Sequence, residues 1–243
     1  MWFFVLLPIM YPSFVVIDLI EHMPLVSKIS KLLYRPFHFI FHIHHEKSAF
    51  LILFAILCGS PASTKIFKAS YERKEISKTE YQNLIFAFST LSMPYTLMLL
   101  KQFQIAGLFY YAAFLFLASL WMHLRNKKES IPTHLDIEPI HYLKTFFNSI
   151  QKNIQIVLQV LGILIIFRVL IHVIFKGEIL FYPFIEILGG LAMTKSPLIA
   201  LLSMGFLGFS EHLQIMYIAD DIPYPKLLLS RVYYLLLGTL TLL

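Results

Sequence analysis

The sequence predicts an all-α, polytopic integral membrane protein, and three observations predict it. Of its 243 residues, 58% are hydrophobic and only 14% are charged, against about 25% charged in an ordinary soluble domain. Apolar runs recur along the chain, several near the roughly 20 residues that a membrane-crossing helix needs. No stretch alternates with the period of a strand, while Gly and Pro interrupt several apolar runs. Mean hydropathy is +0.72. A soluble chain of this length could not cover so much apolar side chain with its own surface. That composition excludes disorder, and a disulfide scaffold is excluded because Cys58 is the only cysteine. Length allows roughly six to eight spans.

The net charge is +6. Its cations gather between apolar runs, the pattern of positive-inside orientation, so the lipid bilayer rather than nucleic acid is the expected partner. Trp2 to Ile20 is the first apolar run and lacks the basic start and small-residue cleavage site of a secretory leader. Ser48 to Cys58 is apolar but reaches only roughly 17 Å at 1.5 Å per residue, too short to cross about 30 Å. It stops at Gly59-Ser60-Pro61. Ser77-Lys78-Thr79-Glu80 has the form of a capping box that opens the next helix, which Ser92-Met93-Pro94 interrupts. Gln104 to Leu124 is a plain span, Arg125 to Asn153 a polar loop, and Ile154 to Phe175 a second plain span. Phe184 to Met193 is short and contains Gly189-Gly190. Ser196 as N-cap and Pro197 at the first helical position start another short helix, ending near Gly208. Ser210 to Lys226 is polar, and Leu227 to Leu243 is the last span.

The two halves share a pattern. Leu53 to Glu80 reads as apolar helix, break, short polar helix, helix start, and Leu201 to Lys226 reads the same way. Residues 64–80 hold five cations and three carboxylates, and residues 210–226 hold one cation and three carboxylates. Opposite loop charge predicts opposite faces of the membrane. With residues 183–209 taken as a re-entrant hairpin, the crossings agree with an inverted-topology repeat. The organisation expected is a first repeat over 1–124, a cytoplasmic loop over 125–153 and a second repeat over 154–243. Lys65 to Lys78 then face inward and Ala219 to Asp221 outward.

Three stretches carry a family resemblance. The first is Pro8-Ile9-Met10-Tyr11-Pro12-Ser13-Phe14, with Asp18-Leu19 after it. The second is Gly59-Ser60-Pro61-Ala62-Ser63-Thr64-Lys65, with Ile76-Ser77-Lys78-Thr79-Glu80 and Phe88-Ser89-Thr90-Leu91-Ser92-Met93-Pro94. The third is Gly205-Phe206-Leu207-Gly208-Phe209-Ser210-Glu211-His212-Leu213-Gln214, with Asp221-Ile222-Pro223-Tyr224 and Arg231. In these the chain resembles the YlbJ-type sporulation integral membrane proteins, which are built from two nucleoside-recognition gate domains similar in architecture to concentrative nucleoside transporters. The resemblance implies two gate-type repeats with broken helices. It also implies a multi-pass bacterial membrane protein of spore formation, in the outer forespore membrane, moving a small solute such as dipicolinate or a nucleoside. The second gate departs from the family in being apolar after its acid, at Glu186-Ile187-Leu188-Gly189-Gly190.

The candidate solute-binding residues lie at the breaks, each with a plainer alternative. Ser60 as N-cap and Pro61 as the first helical residue after Gly59 would aim free N–H groups into a cavity, with Ser63 and Thr64 as ligand donors. An interfacial helix-turn-helix is the alternative. Ser89 and Ser92 mark a second break, or a Pro kink. Glu186 beside Gly189 and Gly190 is an acid in apolar surroundings and defaults to function, against an interfacial carboxylate. Ser210 and Gln214 share a helix face, with His212 nearly opposite. Arg231 joins the site or snorkels to the interface. His38, His42, His44 and His45 lack a fixed zinc pattern, and no metal is expected. No catalytic motif appears, so an enzyme is not expected. No cofactor is expected, and any coupling would be to protons or sodium ions. The alternatives to a transporter are a non-transporting sporulation scaffold and a metal permease. A homo-oligomer or another membrane subunit is left open as partner.

Overall fold

The computed structural model describes residues 11–12, 14–20, 23–103, 105–127, 129, 142–174, 182–187, 190–191 and 194–240. Every element among them is helical. Four stretches are long and apolar enough to cross a membrane: Lys78–Gln102, Gly107–Arg125, Phe146–Val173 and Pro197–Ile218. Pro24–Phe41 with Glu46–Cys58, bent by 81°, makes a fifth if the pair is counted as one span. These helices bear out the all-α expectation. The Tyr142–Ile174 helix leaves Leu158, Ile165, Ile166, Val169 and Val173 each more than half exposed. A face of that kind fits acyl chains and is costly in water.

One end of the molecule collects the polar turns. The Lys47 ammonium lies 3.5 Å from the Glu75 carboxylate. The His44 N–H donates to both Glu80 oxygens at 3.2 Å. Asn126 Nδ2 donates to the His42 carbonyl at 2.9 Å, and Glu129 accepts from the Thr79 hydroxyl. The Lys68 ammonium reaches Asp220 at 3.0 Å and Asp221 at 2.7 Å, and the Tyr81 hydroxyl donates to Asp221 at 2.9 Å. The turns near residues 42–45, 73–77, 126–129 and 219–223 therefore meet at a single charged end.

From that end Glu46–Cys58 runs inward and breaks at residues 59–61, and Ala62–Glu72 brings the chain back. The break falls where the short apolar run ends. Lys78–Phe88 and Met93–Gln102 then form one broken stretch long enough to cross, and Gly107–Arg125 returns to the charged end.

Two expectations are corrected. The polar loop does not extend to Asn153: a helix begins at Tyr142 and continues through Ile174, so Ser149, Lys152 and Asn153 sit on helix. The turn at Ala219 to Asp221 is not on the face opposite Lys65 to Lys78. Pro197–Phe206 and Phe209–Ile218 together make one stretch long and apolar enough to cross, where a returning hairpin was expected. The opposite charges of residues 64–80 and 210–226 reflect attraction between two turns at one end, paired through Lys68, Asp220 and Asp221.

Candidate functional site

The first two breaks pack backbone on backbone. Gly59 sits at φ +69°, and a Cβ there would lie 2.4 Å from the Ser92 nitrogen and 2.8 Å from the Thr90 carbonyl. Only glycine permits that approach. The Ser60 N–H donates to the Thr90 carbonyl at 2.7 Å, and the Thr64 and Ser89 hydroxyls are 3.0 Å apart. Gly59, Ser60, Thr64, Ser89 and Ser92 are thus brought together as expected. The capping detail differs. The helix starts at Ala62, Pro61 takes the N-cap position and no side chain caps it. Ser60 is therefore not the N-cap. The Ser60 and Ser63 hydroxyls are buried without a hydrogen-bond partner among the described residues. Ser92 does cap its helix, accepting from the Tyr95 N–H at 3.4 Å.

A helix that stops inside the molecule leaves its last four carbonyls without intrahelical donors. At the Lys78–Phe88 helix all four find one. The Ile85 carbonyl accepts from the Ser89 N–H, and the Phe88 carbonyl from the Thr90 N–H. Arg231 Nη2 donates to the Ile85 and Phe86 carbonyls, each at 3.3 Å. The Tyr234 hydroxyl donates to Ala87 at 3.0 Å. Arg231 is 1% exposed, so it does not snorkel. Its cation complements the negative end of a broken helix, which makes it first a support of the break. Tyr234, which the motifs did not single out, shares that role.

The second pair of breaks also packs together, a Cβ at Gly208 lying 3.1 Å from the Ile187 nitrogen. Glu186 and Glu211 are both buried and close enough to feel each other's charge, and Tyr95 feels both. The Glu211 carboxylate accepts from the Ser210 hydroxyl at 2.6 Å and from the Ile187 N–H. Gly190 packs on Pro183, where a Cβ would come within 2.3 Å of its Cα. Gly189 lies outside the described residues. The Phe209–Ile218 segment is helical, so His212 points away from Ser210 and Gln214. His212 Nε2 donates to the Phe206 carbonyl at 2.8 Å, closing the end of another broken helix. The Gln214 side-chain nitrogen and the Arg231 Nε are buried without hydrogen-bond partners among the described residues. Glu211 was missed, although its place beside Ser210 in an apolar region was a legible signal.

A third feature was not expected. Asp18 accepts from the Lys65 ammonium, from the Ser149 hydroxyl at 2.5 Å and from Asn153 Nδ2 at 2.7 Å. Lys65 also donates to the Phe14 carbonyl at 3.1 Å. This buried network floors a cavity of about 560 Å³ at the charged end, walled by Lys65, Lys68, Glu72, Arg73, Lys152 and Asp220. Lys65 lies one helical turn after Pro61, on the helix that leaves the first break, and the break residues themselves do not line the cavity.

The histidines form a separate group. The His42 ring lies 4.9 Å from His44 and 5.1 Å from His123, and His45 pairs with Glu80 at 2.6 Å. Among the described residues no three His, Cys, Asp or Glu side chains are placed to hold one metal ion.

Compared with protein-family models, curated proteins and solved structures, the chain matches none.

Proposed function

We propose that the chain is a multi-pass membrane transporter for a small polar or anionic solute, working through its broken helices. The observation that carries this reading is the charged cavity lined by Lys65, Lys68, Glu72 and Arg73 along the helix that leaves the first break. Its volume is in the range of small-molecule pockets, about 300–1,000 Å³. Of the four cations on its wall, Lys65, Lys68 and Arg73 are ion-paired with Asp18, with Asp220 and Asp221, and with Glu75, and the exposed Lys152 on the rim is the cation offered to an anion. Broken helices at membrane depth are tolerated where they are buried in protein or line a cavity, and in secondary transporters such breaks form the solute site. Glu186 and Glu211 supply a buried acid pair that could carry a proton. The positive-inside rule puts the charged end in the cytoplasm. The resemblance to the gate-domain sporulation proteins adds the setting, a bacterial cell membrane during spore formation, and the solute candidates, dipicolinate or a nucleoside.

A second reading, a non-transporting scaffold, has one observation in its favour. The enclosed space beside Arg231, between Thr90, Tyr110 and Gly205, holds about 10 Å³, room for about one water. Transport requires that junction to open.

Uptake of dipicolinate, other small carboxylates and nucleosides into vesicles carrying the purified protein, with and without a pH gradient, separates the two. Transport predicts uptake above that of protein-free vesicles. It also predicts at least a several-fold loss in Lys152→Gln, which removes an exposed cation from the cavity rim. Uptake equal to protein-free vesicles for every solute favours the scaffold.

A further inference from the structure

The Pro24–Phe41 helix takes no part in the breaks, yet its sequence is strongly patterned. It meets Glu46–Cys58 at 81°. If Glu46–Cys58 enters the bilayer, a helix nearly perpendicular to it lies along the membrane surface. Its 18 residues hold Lys28, Lys31 and Arg35 and no acid.

At 100° per residue the helix divides into three sectors. Val26, Ser30, Leu33, Phe37 and Phe41 are buried or half-buried and turn toward the protein. Leu25, Leu32 and Phe39, spaced by seven, fall on a second sector and are 55%, 77% and 84% exposed. Ser27, Lys28, Lys31 and Arg35 fall on a third and are exposed. A helix between protein and water needs one apolar face. This one has two, with a cationic strip beside the second. Protein, acyl chain and anionic headgroup are three environments that match three sectors.

We infer that Pro24–Phe41 lies in the membrane plane at headgroup depth. There Leu25, Leu32 and Phe39 dip among the acyl chains, and Lys28, Lys31 and Arg35 bind the phosphates of anionic lipids. This rests on the membrane reading and is independent of transport. Each cation near an anionic leaflet strengthens attraction about fivefold.

The test uses the full chain in a Cys58→Ser background, with spin labels at Leu32→Cys or Ser27→Cys. Vesicles are made of phosphatidylcholine alone or of phosphatidylcholine with phosphatidylglycerol. The label at position 32 is expected to be accessible to oxygen and shielded from a water-soluble nickel chelate, with the opposite result at position 27. The protein is expected to prefer spin-labelled phosphatidylglycerol over phosphatidylcholine at its boundary. Replacing Lys28, Lys31 and Arg35 together by Gln should reduce that preference at least fivefold. A nickel-accessible label at position 32 overturns the in-plane placement. An unchanged lipid preference in the triple variant overturns the anionic-lipid site even if position 32 is buried in lipid.

Discussion

Arg231 and Tyr234 show how single residues make a broken helix affordable. The carbonyls of Ile85, Phe86 and Ala87 end a helix in the interior, and their donors come from a helix some 145 residues later in the chain. Tyr234→Phe removes one donor and little volume, leaving the buried Ala87 carbonyl unpaired. A loss of about 1–3 kcal/mol is expected, read as a lower unfolding midpoint in detergent. Gly59→Ala combines a positive φ with a 2.4 Å clash against backbone. Its expected cost is about 3 kcal/mol or more, read in the same assay. Gly162 is the contrast. A Cβ there meets nothing within 4 Å, so Gly162→Ala in its helix should stabilise by about 0.5–1 kcal/mol. The importance of Gly59 was legible, because Gly before Ser-Pro ends a run too short to cross. The role of Arg231 was not. A long-range donor to a carbonyl leaves no trace in local sequence.

Among the elements, the hairpin Glu46–Glu72 and the turn 219–223 are tied by Lys68 and Asp221. Burial pushes the Asp221 carboxyl up, but hydrogen bonds from Lys68 and Tyr81 and the Lys68 charge hold it below the usual carboxylate range. Burial pushes Lys68 down, and its bonds to Asp221 and Asp220 outweigh this and raise it. The Asp221 contribution is therefore complete above its unfolded pKa, about 3.9, and is lost as pH falls through its lower folded value. The Lys68 contribution is complete below about 10.4 and is lost as pH rises through its higher folded value. Asp221→Asn should cost about 0.5–1 kcal/mol at neutral pH. The gap to wild type should close in acid below the carboxylate range, measured by thermal unfolding across pH. The helix starts were largely legible from side chains alone. Ser77 accepts from the Glu80 N–H at 3.2 Å, and Ser196 accepts from the Ile199 N–H at 3.4 Å. The Glu80 carboxylate, by contrast, is drawn to the His44 N–H and the His45 ring, a pairing set by tertiary approach and hidden from a capping motif.

At the scale of the molecule, composition and run length were enough to read an all-helical, apolar chain whose Ser48–Cys58 run breaks at residues 59–61. Topology was harder, because loop charge has two explanations. A turn of opposite sign can lie on the other face of a membrane, or it can lie against its complement on the same face. The contact of Lys68 with Asp220 and Asp221 selects the second. It makes Pro197–Ile218 a candidate crossing, with Lys195 at the far end from the charged turns. The most direct test places single cysteines at Arg73, Lys195 or Asp220 in a Cys58→Ser background and labels intact, sealed membranes with an impermeant thiol reagent. The account predicts that positions 73 and 220 react from the same side and position 195 from the opposite side. Labelling of 73 and 220 from opposite sides would contradict it.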